Sequence, residues 1–408
     1  MNRRNIAIVW ESITDGGVNS YLKYLLLSKI FLKFNIFIIT NSTNDGAKYL
    51  QKDLKNFKNI KFIYFKSYYI KKKNFLERFI NYFLKPIFFL KTIKTFDKIF
   101  ENVKIDTLMC QCGNYGGFRS EQSAIFAAYK KNIKKILLVV HHKCDDYPIF
   151  FKTILKFINY KIGNKINYLV TVSKSTLKSI KKNSNLYNNN VNTKIIHNGV
   201  KVENFKNKNY LKNIFIKNKI KPYHTKIGIL ARISEDKGHD ILIKSVSLLK
   251  KNLLKKTKIL FIGRGNKTEI LKLKRLIKKY NLDDNIIILN YLDINSQKIL
   301  SSLDLLVSAT KEFEGFGLSI AESVIVGTPV IATRVGGVQE FFNNDYGKLI
   351  ESKNHFKLKL AIEDFDINKK KWIYNINKSR INFKKNFNNE VMARKYLSLI
   401  NNKNDYLI

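Results

Sequence analysis

Short apolar runs recur along the chain and alternate with longer amphipathic stretches, and this alternation most constrains the fold. The runs are continuously apolar, as strands of a parallel sheet are when both faces are buried. In the first half the predicted strands are Ile6–Trp10, Ile36–Thr40, Phe62–Phe65, Thr107–Cys110, Ile136–His141, Tyr168–Val172 and Lys194–Ile196. Stretches of helical length, such as Asn19–Phe34 and Ser120–Lys131, separate them. The first half is therefore predicted to fold as repeated βαβ units around a doubly wound sheet.

The same alternation restarts after a polar stretch, Lys201–Thr225. The strands predicted beyond it are Lys226–Ala231, Ile259–Gly263, Ile286–Leu289, Leu305–Ser308, Val330–Thr333 and Lys348–Ile350. A chain of 408 residues is also longer than one hydrophobic core usually serves. We predict an α/β protein with two Rossmann-like domains, residues 1–200 and 201–385. A last helical segment, within residues 386–408, is predicted to pack back on the first domain.

The chain is strongly basic, with 75 Lys and Arg against 31 Asp and Glu and a net charge of +44. Such a charge attracts anions, among them nucleic acids, acidic lipid headgroups and phosphorylated substrates. A nucleic-acid-binding protein would concentrate cations and aromatic residues in one module. Here the basic residues are spread along the whole chain, so nucleic acid is not predicted as a partner and remains an alternative. Most of the lysines are expected to lie on ordinary solvated surface.

The cysteines and the N-terminus bear on the cellular compartment. Cys110, Cys112 and Cys144 are too few for a disulfide framework and are predicted to be buried thiols. The apolar run Ile6–Trp10 is too short for the core of a signal peptide. No stretch of about 18 uncharged apolar residues occurs in the sequence. We therefore expect a cytoplasmic protein without a spanning helix.

The segment 303–342 carries the strongest indication of function. A buried strand ends near Ser308, and Gly315-Phe316-Gly317 leads into a helix predicted over Leu318–Val326. Ligands of open α/β sheets bind at the carboxyl ends of the strands. Glycines let a ligand approach the backbone, and the amides at a helix N-terminus favour an anion such as a diphosphate. Glu314 and Glu322 can accept hydrogen bonds from the hydroxyl groups of one elongated ligand.

Two further segments follow strands of the second domain. Arg232 and Lys237 come after the strand Lys226–Ala231, where two cations can hold a diphosphate and offset its charge. Gly263 opens a strand-GxG turn, which alone is weak evidence of nucleotide binding. Tyr291 follows the next strand, at the same ligand-binding edge of the sheet.

These segments together resemble glycosyltransferase family 4, whose pattern is Glu-x7-Glu followed by G-x-P-V-I-A-T and a paired glycine. The resemblance implies that Glu314 contacts the donor sugar, Glu322 the ribose, and Arg232 and Lys237 the diphosphate. It adds Gly263, Gly315, Phe316, Gly317 and Leu318 to the donor site. It leaves the role of Gly336-Gly337 open. It also implies a GT-B fold with two domains facing a cleft, retention at the anomeric carbon, and no metal or cofactor besides the donor, a UDP- or GDP-sugar.

In the first domain the resemblance points to two loops. Gly16 and Gly17, after Asp15, form a loop whose backbone amides can approach phosphate or sugar oxygens. His141 follows a strand and matches a family position near the donor sugar, with His142 as the second choice. A histidine there can act as a general base or position the sugar, and positioning is favoured.

The segment Lys66–Phe100 interleaves aromatic and aliphatic residues with nine positive and two negative charges. A basic amphipathic segment of this kind suits an anionic membrane surface. The alternative is an ordinary helix whose apolar face is core, and both stay open. Pro86 is predicted to break or kink any helix that runs through it.

The predicted function is that of a retaining glycosyltransferase that moves a sugar from a nucleoside-diphosphate sugar to a glycan or lipid-linked acceptor. The resemblance implies a role in bacterial cell-envelope polysaccharide synthesis, as in lipopolysaccharide, capsule or O-antigen. It is compatible with a peripheral location on the inner face of the cell membrane. A GT-B-like epimerase or phosphorylase is the other alternative to a transferase.

Overall fold

The computed structural model describes residues 3–13, 16–68, 75–187, 191–203, 210–290 and 292–401. The chain divides into two compact units. The first contains the residues up to Lys201 together with the segment that starts at Asn389, and the second contains Val202–Asn388. Asp15 and Tyr291, which the sequence placed near a ligand, lie outside the described residues, as does the part of Lys66–Phe100 from 69 to 74.

The first unit is built on a parallel sheet with the strand order β3-β2-β1-β4-β5-β6-β7. Its strands are β1 (Asn5–Trp10), β2 (Asn35–Asn41), β3 (Ile60–Phe65), β4 (Thr107–Cys112), β5 (Lys135–Val140), β6 (Tyr168–Thr171) and β7 (Thr193–Ile195). Strand β1 pairs in parallel with both β2 and β4, with Ile6 opposite Ile36 and Thr107. The chain thus runs outward from β1 in both directions, which makes the gap between β1 and β4 the switch point of a doubly wound sheet.

Helices connect these strands. They are α1 (Gly17–Leu26), α2 (Asp45–Asp53), α3 (Phe75–Phe83), α4 (Lys85–Asn102), α5 (Ser120–Lys130), α6 (Lys152–Gly163) and α7 (Lys174–Asn183). The helical stretch predicted over Asn19–Phe34 is shorter than expected. The helix α1 ends at Leu26, and a separate 3-10 turn covers Phe31–Lys33. The hydroxyl of Ser28 donates to the Leu25 carbonyl and accepts from the Phe31 amide, so it replaces helical hydrogen bonds at that point.

The second unit has its own parallel sheet, with the strand order β10-β9-β8-β11-β12-β13. Its strands are β8 (Thr225–Leu230), β9 (Thr257–Ile262), β10 (Ile286–Leu289), β11 (Leu305–Ser308), β12 (Val330–Thr333) and β13 (Gly347–Ile350). Its helices are α8 (Lys212–Lys217), α9 (His239–Ser247), α10 (Lys251–Lys255), α11 (Lys267–Lys279), α12 (Ser296–Ser301), α13 (Leu318–Val326), α14 (His355–Ile367) and α15 (Lys369–Asn386). The switch point of this sheet lies between β8 and β11.

Each sheet carries a buried core of its own. In the first unit Ala7, Leu138 and Phe96 belong to one apolar cluster, and in the second Ile229 and Phe261 belong to another. The prediction of two doubly wound α/β units is therefore confirmed. Buried thiols are confirmed as well, since all three cysteines are buried and free.

The last helix, α16 (Asn389–Asn401), returns to the first unit and packs against α1. The Asn389 side-chain amide donates to the Tyr24 carbonyl at 3.1 Å, and Glu390 accepts from the Lys29 amide at 2.8 Å. The rings of Tyr396 and Tyr21 meet edge to face in this contact. The segment that follows the second sheet is thus part of the core of the first unit.

The segment Lys66–Phe100 contributes some of its apolar residues to the core and leaves others exposed. Leu84 separates α3 from α4, and Pro86 lies in the first turn of α4. Along α4 the side chains of Phe89, Phe96 and Phe100 are buried in the core of the first unit. Leu90, on the same helix, is exposed. In the part of the chain that the structure describes, no helix is both long enough and apolar enough to cross a bilayer.

Candidate functional site

The carboxyl ends of β8 and β11 adjoin at the switch point of the second sheet, and the loops that follow both strands pack against each other. Gly238, at φ +70°, ends the loop after β8. A Cβ atom at this position would lie 2.0 Å from the carbonyl oxygen of Ala309, at the start of the other loop. Only glycine allows this approach. The Lys311 amide donates to the Asp236 carbonyl at 2.8 Å, which joins the two loops a second time.

Lys237 and Glu314 form an ion pair across these loops. The Lys237 Nζ lies 2.8 Å from Glu314 Oε2, and the Thr310 hydroxyl donates to the same oxygen at 3.3 Å. Both charged side chains are largely but not fully buried, with 14% and 20% of their surface exposed. A lysine ammonium has three donors, so Lys237 can hold Glu314 and a ligand oxygen together. Two predicted site residues that are 77 positions apart in sequence are thus in direct contact.

The helix α13 begins directly after this loop, at a glycine. Gly317 is the N-cap at φ +98°, a left-handed conformation that favours glycine. Because the cap has no side chain, no capping hydrogen bond covers the first-turn amides. Leu318 and Ser319, the first two residues of the helix, are both partly exposed. The positive end of the helix dipole is therefore available to an anion at this edge of the sheet.

Phe316, predicted as a donor-site residue, has a buried side chain. Its ring stacks on Phe341 with centroids 4.3 Å apart and also approaches Phe387. The side chain therefore anchors the loop in an aromatic cluster. Only the backbone of Phe316 remains to approach a ligand.

The paired glycines after β12 hold the backbone of Glu314. The Gly337 amide donates to the Glu314 carbonyl at 2.8 Å. Gly336 is left-handed at φ +53°, and a Cβ atom there would lie 2.1 Å from the same carbonyl oxygen. The sequence left the role of these glycines open, and the structure shows that they position the loop that carries Glu314. They set the position of the carboxylate at residue 314.

Glu322 lies in the second turn of α13 and is buried, with 3% of its surface exposed. A glutamate this deeply buried requires polar partners, and it forms contacts with other residues. The helix places it eight residues beyond Glu314, on the element that Gly317 starts. The two carboxylates are thus carried by the same loop and helix.

Arg232 is exposed at the start of the loop after β8, and Gly263 packs against the backbone of the preceding residue, Ala231. Gly263 has φ +156°, and a Cβ atom there would lie 1.9 Å from the Ala231 carbonyl oxygen. The Ile233 amide donates to the Arg264 carbonyl at 2.7 Å. The glycine of the GxG turn is therefore needed for contact between the loops after β8 and β9.

The charges of this loop also fix the ionisation of Asp236. Burial opposes the charged form, but a hydrogen bond from Ser234 and the cations Lys237 and Arg232 outweigh it and lower the pKa of Asp236. His239, two residues beyond Lys237, is buried with its ring edge on Phe261. Burial lowers the pKa of His239 to about 4, so its imidazole is neutral at physiological pH.

Thr310, Asp236 and His239 were not found from the sequence. Thr310 could have been noticed, because it is the second residue after a predicted strand at the ligand-binding edge. Asp236 and His239 flank a predicted cation, but nothing in their types or spacing separates them from ordinary loop residues.

In the first unit, His141 follows β5 and is held in a polar and aromatic environment. Its Nε2 lies 2.8 Å from Oε1 of Gln111, and its backbone amide donates to the Cys112 carbonyl at 2.9 Å. The ring of Tyr21, from α1, contacts the imidazole edge to face at 4.4 Å. Burial lowers the pKa of His141 to about 3, so the imidazole is neutral. With Gln111 as acceptor at Nε2, the other ring nitrogen is left as a hydrogen-bond acceptor.

Gly16 and Gly17 begin α1, the helix that brings Tyr21 to His141. Gly16 is extended at φ −178° and both glycines are exposed. A Cβ atom at Gly16 would meet nothing within 4 Å, so crowding within the protein does not require glycine there. An open backbone remains available to a ligand at the end of β1.

Glu121 is a buried acid that sequence reasoning missed. It lies in the first turn of α5, and its Oε1 accepts from the Glu11 amide at 3.0 Å, at the end of β1. Burial, with a smaller contribution from the Glu11 carboxylate, raises the pKa of Glu121 to about 7. A carboxyl group that titrates near neutrality thus lies at the switch point of the first sheet.

Comparison with known proteins gives this arrangement a family context. Residues 212–395 match the family model described as glycosyl transferases group 1, a range that contains Arg232, Lys237, Glu314 and Glu322. The O-antigen biosynthesis glycosyltransferase WclY of Escherichia coli is 29% identical over 175 residues, which are 43% of this chain and 46% of that protein. The chain spans about half the length of the curated relatives it matches.

Solved structures are similar over the whole chain. A glycosyltransferase from Rickettsia africae ESF-5 has a TM-score of 0.75 at 22% identity, over 100% of both chains. Anabaena Alr3699/HepE in complex with UDP-glucose has a TM-score of 0.73 at 16% identity, over 98% of this chain and 99% of that one. These similarities confirm the predicted GT-B class of fold. Residues 212–395 of the chain thus match the glycosyl transferases group 1 model, on a fold of the predicted GT-B class.

Proposed function

We propose that the chain is a retaining glycosyltransferase of family 4 that transfers a sugar from a nucleoside-diphosphate sugar to a glycan or lipid-linked acceptor. The observation that carries the proposal is the Lys237–Glu314 pair beside the glycine-capped start of α13. It combines a cation, a carboxylate and helix amides at the switch point of a doubly wound sheet. A sugar diphosphate needs these three kinds of group.

Each group would bind a different part of the donor. Arg232, Lys237 and the first amides of α13 would hold the diphosphate of UDP or GDP and stabilise its charge as it leaves. Glu314 would accept a hydrogen bond from a hydroxyl of the sugar, and Glu322 from the ribose. A UDP-glucose complex of a protein with this fold, Anabaena Alr3699/HepE, supports a UDP-sugar as donor.

Retention would then proceed on one face of the sugar. The bond from the anomeric carbon to the diphosphate oxygen breaks, and a bond from the acceptor oxygen forms on the same face. The acceptor proton passes to the departing diphosphate. In this scheme the neutral imidazole of His141 orients the sugar and does not take the proton, which agrees with its lowered pKa. Gly16 and Gly17 would offer backbone amides on the same unit.

The proposed process is synthesis of a cell-envelope polysaccharide, supported by the O-antigen relative. The proposed location is the inner, cytoplasmic face of the cell membrane, with the described parts of Lys66–Phe100 facing anionic lipid. Their exposed apolar residues and lysines support this contact.

Ligand-induced stabilisation of the full chain tests the donor site. We expect one class among UDP-, GDP-, ADP- and CMP-compounds to raise the Tm, because a ligand that binds only the folded state stabilises it. The shift should disappear in Lys237→Ala and persist in Lys278→Ala, a control at an exposed lysine of α11. A shift that survives in Lys237→Ala, or the absence of a shift with every compound, would contradict the proposal.

A further inference from the structure

A row of large apolar side chains is exposed along α3 and the start of α4. Hydrogen bonds from the Leu84 amide to the Ile80 carbonyl and from the Phe88 amide to the Leu84 carbonyl carry the helical path across the junction. The exposed members of the row follow helical spacing and are Phe79, Ile80, Phe83, Ile87 and Leu90. Side chains at this spacing lie on one face of a helix.

A second exposed row starts in the 3-10 turn Ile149–Phe151 and continues along α6. Ile149 and Phe150 are 81% and 74% exposed. The row continues with Ile154, Phe157 and Tyr160. On α6 the intervening residues Leu155, Ile158 and Ile162 are buried, so the helix has apolar side chains on both faces. Core packing therefore does not account for the exposed row.

Ring contacts join the two rows into one surface. Phe83 lies 6.0 Å from Phe150 between ring centroids, and Phe79 lies 5.1 Å from Phe83. Tyr82 contacts Phe150 as well. We call the ten residues of the two rows the aromatic surface. Contiguous apolar patches of this kind mark contacts with proteins or membranes.

Lysines lie beside the aromatic surface. Lys85 Nζ lies 4.7 Å from the ring centroid of Tyr82, and Lys161 Nζ lies 5.3 Å from that of Phe157. Lys152 and Lys156 are exposed on α6 beside them, and the sequence from Ile149 to Gly163 contains no acidic residue. Lysines beside aromatic rings suit an interface where apolar groups insert and ammonium groups meet anionic headgroups.

We propose that the aromatic surface inserts into an anionic phospholipid bilayer, with Phe150 and Phe157 as its central contacts. The exposed apolar area supplies the insertion, and the lysines select the anionic lipid. The 3-10 turn begins eight residues after His141, and its Phe151 packs on Phe118 in the loop after β4. The bilayer would therefore lie near the carboxyl edge of the first sheet.

This placement identifies the acceptor class as lipid-linked, a step that rests on the proposed function. An acceptor with its lipid in the bilayer would present its sugar end near His141. Binding to the bilayer itself does not depend on that step.

Vesicle cosedimentation of the full chain tests the surface. We expect binding to vesicles of phosphatidylglycerol and phosphatidylcholine, weaker binding at high salt, and little binding to phosphatidylcholine alone. Phe150→Ser/Phe157→Ser should lower binding at least tenfold. The control Phe356→Ser/Ile367→Ser, which changes two exposed residues of the second unit, should bind as the wild type does. Equal binding by the two double variants would overturn the proposal.

Insertion is measured separately by Phe150→Trp fluorescence. A blue shift on vesicles, with quenching by brominated lipid, supports insertion, and an unchanged spectrum on bound vesicles overturns it. A wild-type dimer that Phe150→Ser/Phe157→Ser converts to a monomer, without any vesicle binding, would show that a second copy covers the surface and would overturn the proposal.

Failure of the proposed function is distinguishable from failure of this inference. Donor stabilisation and transfer to a lipid-free acceptor should be unchanged in Phe150→Ser/Phe157→Ser, while transfer to a lipid-linked acceptor in vesicles falls at least tenfold. If the wild type binds no donor, the transferase proposal is contradicted, while the vesicle result still supports insertion into the bilayer.

Discussion

Gly336→Ala should damage the candidate site through the backbone of Glu314. The residue is left-handed at φ +53°, which costs an L-residue about 1–2 kcal/mol. The added Cβ would also lie 2.1 Å from the Glu314 carbonyl oxygen and 2.8 Å from its backbone nitrogen. Backbone atoms cannot rotate away as a side chain can, so the loop before α13 has to move.

The size of the effect follows from these distances. The loop must move by about 1 Å to restore van der Waals contact, and such a displacement at a reacting centre can cost about 100-fold in rate. The conformational cost alone should lower the Tm by about 2–8 °C, at about 2–4 °C per kcal/mol. We therefore expect a large loss of transfer activity with a moderate loss of stability.

Thermal unfolding and steady-state transfer kinetics, measured on the same preparation, check this expectation. Gly113→Ala is the control, because its Cβ would meet nothing within 4 Å and its φ is not left-handed. We expect that control to keep both the Tm and the activity. Wild-type kcat/KM in a folded Gly336→Ala variant would refute the argument that the paired glycines position Glu314.

Three further predictions concern ionisable groups. Glu314→Gln keeps the shape but removes a charged hydrogen-bond partner, so kcat/KM of the folded variant should fall by about 10- to 150-fold in a transfer assay. Unchanged turnover would contradict a role for the carboxylate. Gln111→Glu places a carboxylate on Nε2 of His141 and should raise the pKa of that histidine from about 3 into a range that NMR titration detects. A wild-type His141 that titrates near its ordinary value would contradict the buried, neutral imidazole. Glu121 has a folded-state pKa of about 7, above its unfolded value, so the native state loses stability as pH rises through the interval between them. Glu121→Gln should therefore gain Tm over the wild type above pH 7, and the gain should vanish below about pH 4; an advantage independent of pH would refute this.

Helix ends were predicted correctly from the sequence where residues that end a helix locally, such as glycine, also end it in the fold. The helix predicted over Leu318–Val326 is observed with those bounds, because Gly317 and Gly327 both adopt left-handed conformations at its ends. Such glycines end a helix whatever packs around it. The helix predicted to reach Phe34 failed because a hydroxyl, Ser28, took over backbone hydrogen bonds. A serine within a periodic apolar segment gives no sign of that from sequence alone.

Contacts that depend on strand order could not be predicted. Gln111 and His141 meet because β4 and β5 are neighbours in parallel register. The exposed row on α6 escaped detection for another reason. Apolar residues occupy both faces of α6, and periodicity cannot say whether Phe157 or Leu155 faces the core.

The placement of Glu314 unites the second unit into one site. The loop after β8 supplies Lys237 to its carboxylate, its own loop after β11 supplies Thr310, and the loop after β12 supplies Gly337 to its backbone. Glu322 depends less on these loops, because the helix α13 itself carries it. If Glu314 binds the sugar and Glu322 the ribose, as proposed, changes in any of the three loops should alter recognition of the sugar before recognition of the ribose.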